Sequence, residues 1–222
     1  MKLLCLIIDS TPPVPWQETY DVHRKVWNRC LDKCPGVDGY FLHADPSLAV
    51  RHLVERRRFT VRCPERSDTI LNKTLRAIEV LLTDHDYVVR TNISSLYDFP
   101  LLARQKLPKE GLYAGHVMPR GRGFVTGSGM ILSRDVAKKL LVPAPPSVVL
   151  RPQDDVAIYQ ILEAHGVRPQ HKPMFIYDYT RGTDQITIGH HVHYRLRDEG
   201  DPQRLQERQV TEHIFGRIYG NA

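Results

Sequence analysis

Strand-like and helix-like segments alternate along this 222-residue chain, and that alternation predicts an α/β fold with a mixed, mainly parallel sheet flanked by helices. Two further observations agree. Hydrophobic residues make up 41% and charged residues 25%, the composition of an ordinary globular protein with enough apolar matter for a core. Residues 3–8 are a continuous apolar run, as a buried strand requires.

The elements follow in order. Residues 3–8, Leu-Leu-Cys-Leu-Ile-Ile, read as a buried first strand. A signal peptide is the competing reading, but the apolar run is six residues, ends at Asp9, and no small-residue cleavage site follows. Residues 22–34 have helical spacing, with Val22, Val26, Cys30 and Leu31 on one side, and Pro35-Gly36 stops them. Residues 40–43 and 59–63 are short strands. Residues 67–83 form a helix that Ser67 caps, with Ile70, Leu71, Thr74, Leu75, Ile78, Leu81 and Leu82 at a 3.6-residue period. That stripe is core. Residues 87–91 are the next strand, with Tyr87 and Val89 facing the core. Ser94 or Ser95 caps a following helix through Leu102. Strands are expected at 112–116 and 125–133. A helix follows over 133–141, with Asp135 early and Lys138 and Lys139 late to suit its dipole.

Pro143 to Pro146 is a loop. Residues 152–165 read as a helix with Pro152 at its start and Gly166 at its end. Residues 174–177 are a last strand. Beyond Tyr179 the pattern becomes polar, and a helix is expected over 202–219. A main domain at 1–180 and a C-terminal extension at 181–222 suit this length and the change in pattern.

The formal net charge of +6 favours anionic partners such as nucleotides, diphosphates, nucleic acid or an acidic membrane face, without choosing among them. No interleaving of aromatic and basic residues supports specific nucleic-acid binding. No run approaches the roughly 18 apolar residues of a membrane span. A soluble protein, cytoplasmic or otherwise intracellular, is expected. Cys30 and Cys34 stand four apart, but Cys5 and Cys63 do not complete a metal framework, so all four read as reduced structural thiols.

Four segments carry candidate chemistry. Ser67 to Leu75 opens a helix. Asp86 to Ser95 ends a strand on a polar loop, the place where an open α/β sheet binds ligands. Thr126-Gly127-Ser128-Gly129 lets a ligand approach backbone N–H groups. Asp154 and Asp155 sit at a helix N-terminus, where the competing reading is that one of them merely caps the helix.

In order and spacing these segments resemble the beta-1,3-galactosyltransferase and Fringe-like group of GT-A glycosyltransferases, over roughly residues 65–165. Asp68 to Leu75 stands where that group has an Asp-x-Tyr-x-Asn-Leu-Thr-Leu-like helix start. Arg90-Thr91-Asn92-Ile93-Ser94 stands where it has Lys-Thr-Asp-Asp-Asp. Thr126 to Ser133 matches its Ser-Gly-Gly-Gly-Tyr-Val-Leu-Ser segment, and Asp154-Asp155-Val156 its Glu-Asp-Val. The Arg-Thr-Asn-x-Ser-Ser variant also looks like soluble transferases of large algal viruses and microbes.

The resemblance implies a GT-A (Rossmann-like) fold and an inverting transfer from a UDP-sugar donor to a hydroxyl of a glycan acceptor. The extension would complete the active site. Asp155 is the candidate base, with Asp154 next. The implied donor-binding residues are Asp9, Arg66, Asp68, Arg90, Thr91, Asn92, Ser94, Gly127, Ser128 and Arg195, with Asp45 and Lys73 at similar depth. Asp9 reads equally as a turn cap, and Asp68 as a first-turn helix acid. The group's metal aspartates fall on Asn92 and Ser94, poor ligands for a hard cation. Two substitutes are open. Arginines could clamp the diphosphate, with Arg90, Arg120, Arg122, Arg195 and Arg197 as candidates. Alternatively a divalent metal, manganese or magnesium, could be held by His191 and His193. A different class stays open as well: a non-catalytic nucleotide- or glycan-binding module. The sequence leaves the sugar, the acceptor and the oligomeric state undecided.

Overall fold

A computed structural model describes residues 1–11, 14–118, 123–198, 200–201 and 204–220. Strand β1 (Leu3–Ile8) is followed by helix α1 (Gln17–Asp32), β2 (Val37–Ala44), β3 (His52–Glu55) and β4 (Arg58–Val61). Next come α2 (Ile70–Leu81), β5 (Tyr87–Asn92), β6 (Ser95–Tyr97) and α3 (Phe99–Arg104). Then follow β7 (Tyr113–Val117), β8 (Val125–Ser133), α4 (Arg134–Lys139) and α5 (Asp154–Ala164). The chain closes with β9 (Gln170–His171), β10 (Phe175–Ile176), β11 (His193–Arg195) and α6 (Leu205–Tyr219).

The chain divides into two compact units. The first is built from 1–11, 36–92 and 107–172, the second from 12–35, 93–106 and 173–222. The boundary expected near residue 180 lies inside the second unit.

The first unit holds a mixed sheet in the order β3-β4-β2-β1-β5-β8-β7-β9. Strands β4, β2, β1 and β5 run parallel, and β8 is antiparallel to β5. The expected mixed α/β fold, with a large and mainly parallel sheet flanked by helices, is what the chain adopts. Strand β1 is central, and all six of its side chains are buried, which is why its sequence is a continuous apolar run. Thr74 and Ile78 of α2 are buried, and Ile70, Leu71, Leu75 and Leu81 pack against the same core. At Gly115 a Cβ would fall onto the Gly129 carbonyl and Val125 Cγ1, so β7 and β8 approach closely only because the residue is glycine.

The second unit holds the three-stranded sheet β10-β11-β6. Its core joins Val26 and Cys30 of α1 with Val210, Ile214 and Phe215 of α6. Glu207 is fully buried there. It accepts from Arg204 Nε at 2.7 Å and Nη2 at 2.8 Å, and its Oε1 lies 2.7 Å from His23 Nε2.

Several elements differ from expectation. Ser94 and Ser95 cap no helix. Residues 95–97 are strand β6, paired antiparallel with β11, and α3 begins after Asp98, whose Oδ1 accepts the Leu101 N–H at 2.7 Å. Ser67 does not cap α2: residues 67–69 form a 3-10 turn, and α2 starts at Ile70. Helix α1 starts five residues earlier than its apolar spacing suggests, because its first turn is polar. Strand β3 was not foreseen; three of its four residues are exposed, so it has no buried face to write a period. All four cysteines are free and buried. No helix among the described residues is long and apolar enough to cross a membrane.

Candidate functional site

The parallel strands of the first unit end together. Ile8 is in register with both Leu42 and Asn92, so Asp9, His43 and Asn92 share the carboxyl edge of the sheet. Strand β8 runs the other way, and Thr91 faces Gly129, which brings Thr126 to Ser128 to the same edge. Helix α5 begins there too, with Asp154 and Asp155 in its first turn.

Arg90 is the centre of this group. Its side chain is 2% exposed, and Nη2 forms an ion pair with Asp154 Oδ2, whose side chain is 13% exposed. Nη1 donates to Asn92 Oδ1 at 3.3 Å. Nε is buried with no hydrogen-bond partner among the described residues. Gly127 makes room for the guanidinium: a Cβ there would lie 2.8 Å from Arg90 Nη1 and 3.4 Å from Asp155 Oδ2.

The two carboxylates differ. Asp154 has its pKa raised by burial, opposed by the Arg90 charge. Asp155 is held by backbone: Oδ2 accepts the Gly127 N–H at 3.0 Å and Oδ1 its neighbour Val156's at 2.9 Å. Those bonds fix its orientation and leave lone pairs on both oxygens.

The other candidates in the first unit separate into two kinds. Asp9 is fully buried, with His43 Nε2 at 3.3 Å from its Oδ2. Thr91 is spent on structure, donating to the Ser128 carbonyl at 2.8 Å. Ser128 Oγ lies 2.8 Å from Thr126 Oγ1. Arg66 and Asp68 pair with each other at the surface. Asp45 accepts from the Ser47 hydroxyl at 2.6 Å and its N–H at 2.8 Å, bonds that lower its pKa and make it a turn residue. Lys73 is buried and held by Glu65 Oε1 at 2.6 Å, while Glu65 Oε2 accepts the Ala44 N–H at 3.0 Å.

The remaining candidates lie in the second unit. Arg195 Nη1 donates to Ser94 Oγ at 2.7 Å. His193 is buried and stacks on Tyr97 with centroids 4.8 Å apart, and the His191 ring lies 5.8 Å from Phe175. Arg197 also belongs to this unit. Arg120 and Arg122 lie outside the described residues. Sequence reasoning missed His43 and Glu65. The available signal was their position at or just past the ends of strands feeding one sheet edge.

The donors present do not suit a divalent cation. Asn92 supplies a single neutral oxygen, and that oxygen already faces the Arg90 guanidinium. Among the described residues no three His, Cys, Asp or Glu side chains group as metal ligands, around His191 and His193 or elsewhere.

No protein-family model matches the chain, and no curated protein matches it. Among solved structures, a glycosyltransferase involved in the glycosylation of the major capsid of PBCV-1 aligns with TM-score 0.54 at 13% identity, covering 96% of this chain and 100% of that one. An active-site mutant of LgtC aligns with TM-score 0.45 at 10% identity, covering 96% of each chain, a likeness too slight to argue from. The first likeness establishes that the chain shares a glycosyltransferase's fold.

Proposed function

We propose that the chain is an inverting glycosyltransferase, moving a sugar from a UDP-sugar to a hydroxyl of a glycan acceptor. One observation carries the reading: in a fold shared with a glycosyltransferase, Asp155 is presented at the carboxyl edge of the sheet beside the Gly127–Ser128 backbone. The order of motifs, like that of the beta-1,3-galactosyltransferase and Fringe-like group and its algal-virus variants, supports it.

Arg90 pairs with Asp154, while Asp155 is held by backbone N–H groups alone, which makes Asp155 the acid assigned as base. In the transfer, the acceptor oxygen attacks the anomeric carbon from the face opposite the leaving group. The new carbon–oxygen bond forms as the bond to the β-phosphate breaks, its electron pair leaves with UDP, and the acceptor proton passes to Asp155. His43 at the end of β2 would meet the nucleoside, with the fully buried Asp9 holding its ring from behind.

Asp155→Asn keeps an oxygen for the Gly127 N–H but removes the base. Transfer, read as UDP release across a panel of UDP-sugars, is expected to fall about 10²–10⁴-fold, while UDP binding persists. Unchanged turnover would sink the assignment of the base. A retained anomeric configuration in the product, read by NMR, would sink inversion. The second reading, a non-catalytic nucleotide- or glycan-binding module, draws on the same site, because both acids are already satisfied within the chain. It predicts UDP or glycan binding with no transfer from any donor.

A further inference from the structure

We infer that the Arg90 guanidinium takes the place of a divalent cation as the group that engages the diphosphate, through N–H donors left free by its pair with Asp154, so that this chain binds a nucleoside diphosphate and transfers its sugar without metal. The inference rests on the donor site proposed above.

Three observations carry it. The guanidinium is built in rather than adventitious: it is almost wholly buried, anchored by Asp154, and accommodated by the missing side chain at Gly127. It reaches Asn92, the residue at the strand end where the site would otherwise offer an oxygen to a cation. A second positive ion there would sit against a fixed one, with the strand end itself offering only the neutral Asn92 oxygen and Asp154 already paired, an arrangement Coulomb repulsion disfavours most where water is excluded. Finally, the hydrogen-bonding capacity of Arg90 is not used up. Two of its five N–H groups have partners, and the buried Nε–H has none among the described residues. A buried donor without a partner is costly, and an anionic oxygen bound alongside would satisfy it. Arginine suits the task because it stays charged at any working pH and presents several donors in one plane.

The Arg90–Asp154 pair carries little net charge, so what it offers an anionic oxygen is directed N–H donors. Asp154 holds the guanidinium in place when no ligand is bound. A diphosphate oxygen would accept from the remaining N–H groups, with the Asp154 pair kept. Asn92 orients the plane through Nη1.

The test measures UDP binding to the wild-type chain by titration calorimetry, in EDTA, in Mn²⁺ and in Mg²⁺, together with transfer from the best UDP-sugar. The expected result is a Kd that agrees within about twofold in all three conditions, and turnover that survives EDTA. A difference that small is under about 0.4 kcal/mol. Arg90→Met is expected to weaken UDP binding by at least about tenfold, and Mn²⁺ does not restore it; Arg90→Lys keeps part of the affinity. Binding that strengthens about tenfold or more with Mn²⁺, or vanishes in EDTA, overturns the inference and leaves the donor-site reading standing. UDP binding absent in every condition overturns both. The wild-type comparison needs no variant, so it decides the question even if Arg90→Met does not fold.

Discussion

Replacing Arg90 by methionine keeps most of the aliphatic stem and deletes the charge that Asp154 is built around. The Asp154 side chain is 13% exposed, so solvent does little to screen it, and its ion-pair partner is the Arg90 guanidinium. A buried carboxylate stripped of its partner costs about 3–5 kcal/mol, a large share of the roughly 5–15 kcal/mol that holds a domain together. The loss should depend on pH in a definite direction. Burial raises the folded-state pKa of Asp154 above 3.8, and Arg90 is the main influence pulling it back. Without Arg90 the folded pKa climbs further. A carboxyl whose folded pKa exceeds its unfolded one contributes stability below the unfolded value and loses it as pH rises through the folded value. The variant should therefore lie closest to wild type near pH 4, where only a packing loss of about 1–2 kcal/mol remains. It should fall furthest behind at pH 8. Urea denaturation at pH 4, 6 and 8 measures the gap, and Asp154→Asn in the same background should recover its pH-dependent part. A gap of equal size at all three pH values would refute the reasoning, because it would mean that packing, not charge, is what Arg90 contributes.

Gly127→Ala places a methyl group 2.8 Å from Arg90 Nη1 and 3.4 Å from Asp155 Oδ2. The fold should survive with a loss of about 1–3 kcal/mol, while kcat/KM drops about 10²-fold as the two side chains are pushed out of place. Full activity would show that neither side chain needs its present position. In the second unit, Glu207→Gln leaves Arg204 buried without its counter-charge. Chemical unfolding should report a loss of about 3–5 kcal/mol, and a loss below 1 kcal/mol would contradict the view that this buried group is what secures α6.

Much of the architecture was legible in the chain. Strands β1, β5 and β8 and helix α2 were readable because each writes its burial locally, as an apolar run or a 3.6-residue stripe. Strands β6, β9 and β11 were not. They are two or three residues long, and what makes β6 a strand is a partner about a hundred residues away, with Tyr194 facing Leu96. The serines before it look like a helix cap to any local rule, yet Ser94 Oγ serves Arg195 instead. Of the candidate site, motif order singled out Arg90, Asn92, Gly127 and the acidic pair, which the fold brings together. His43 and Glu65 were not, since a lone histidine and a lone glutamate carry no local pattern.

The sequence by itself determined the class of fold and which segments meet at one edge of the sheet. Both follow from short-range periodicity and from the rule that parallel strands present their carboxyl ends together. It also showed that the strand ending at Asn92 lacks the acids a metal would want. Only the tertiary structure decided what Arg90 pairs with. Arg90 and Asp154 are 64 residues apart, and their ion pair exists because β8 packs antiparallel against β5 while α5 begins beside it. Such a pairing is set by register and burial between distant segments. A local window of sequence contains neither.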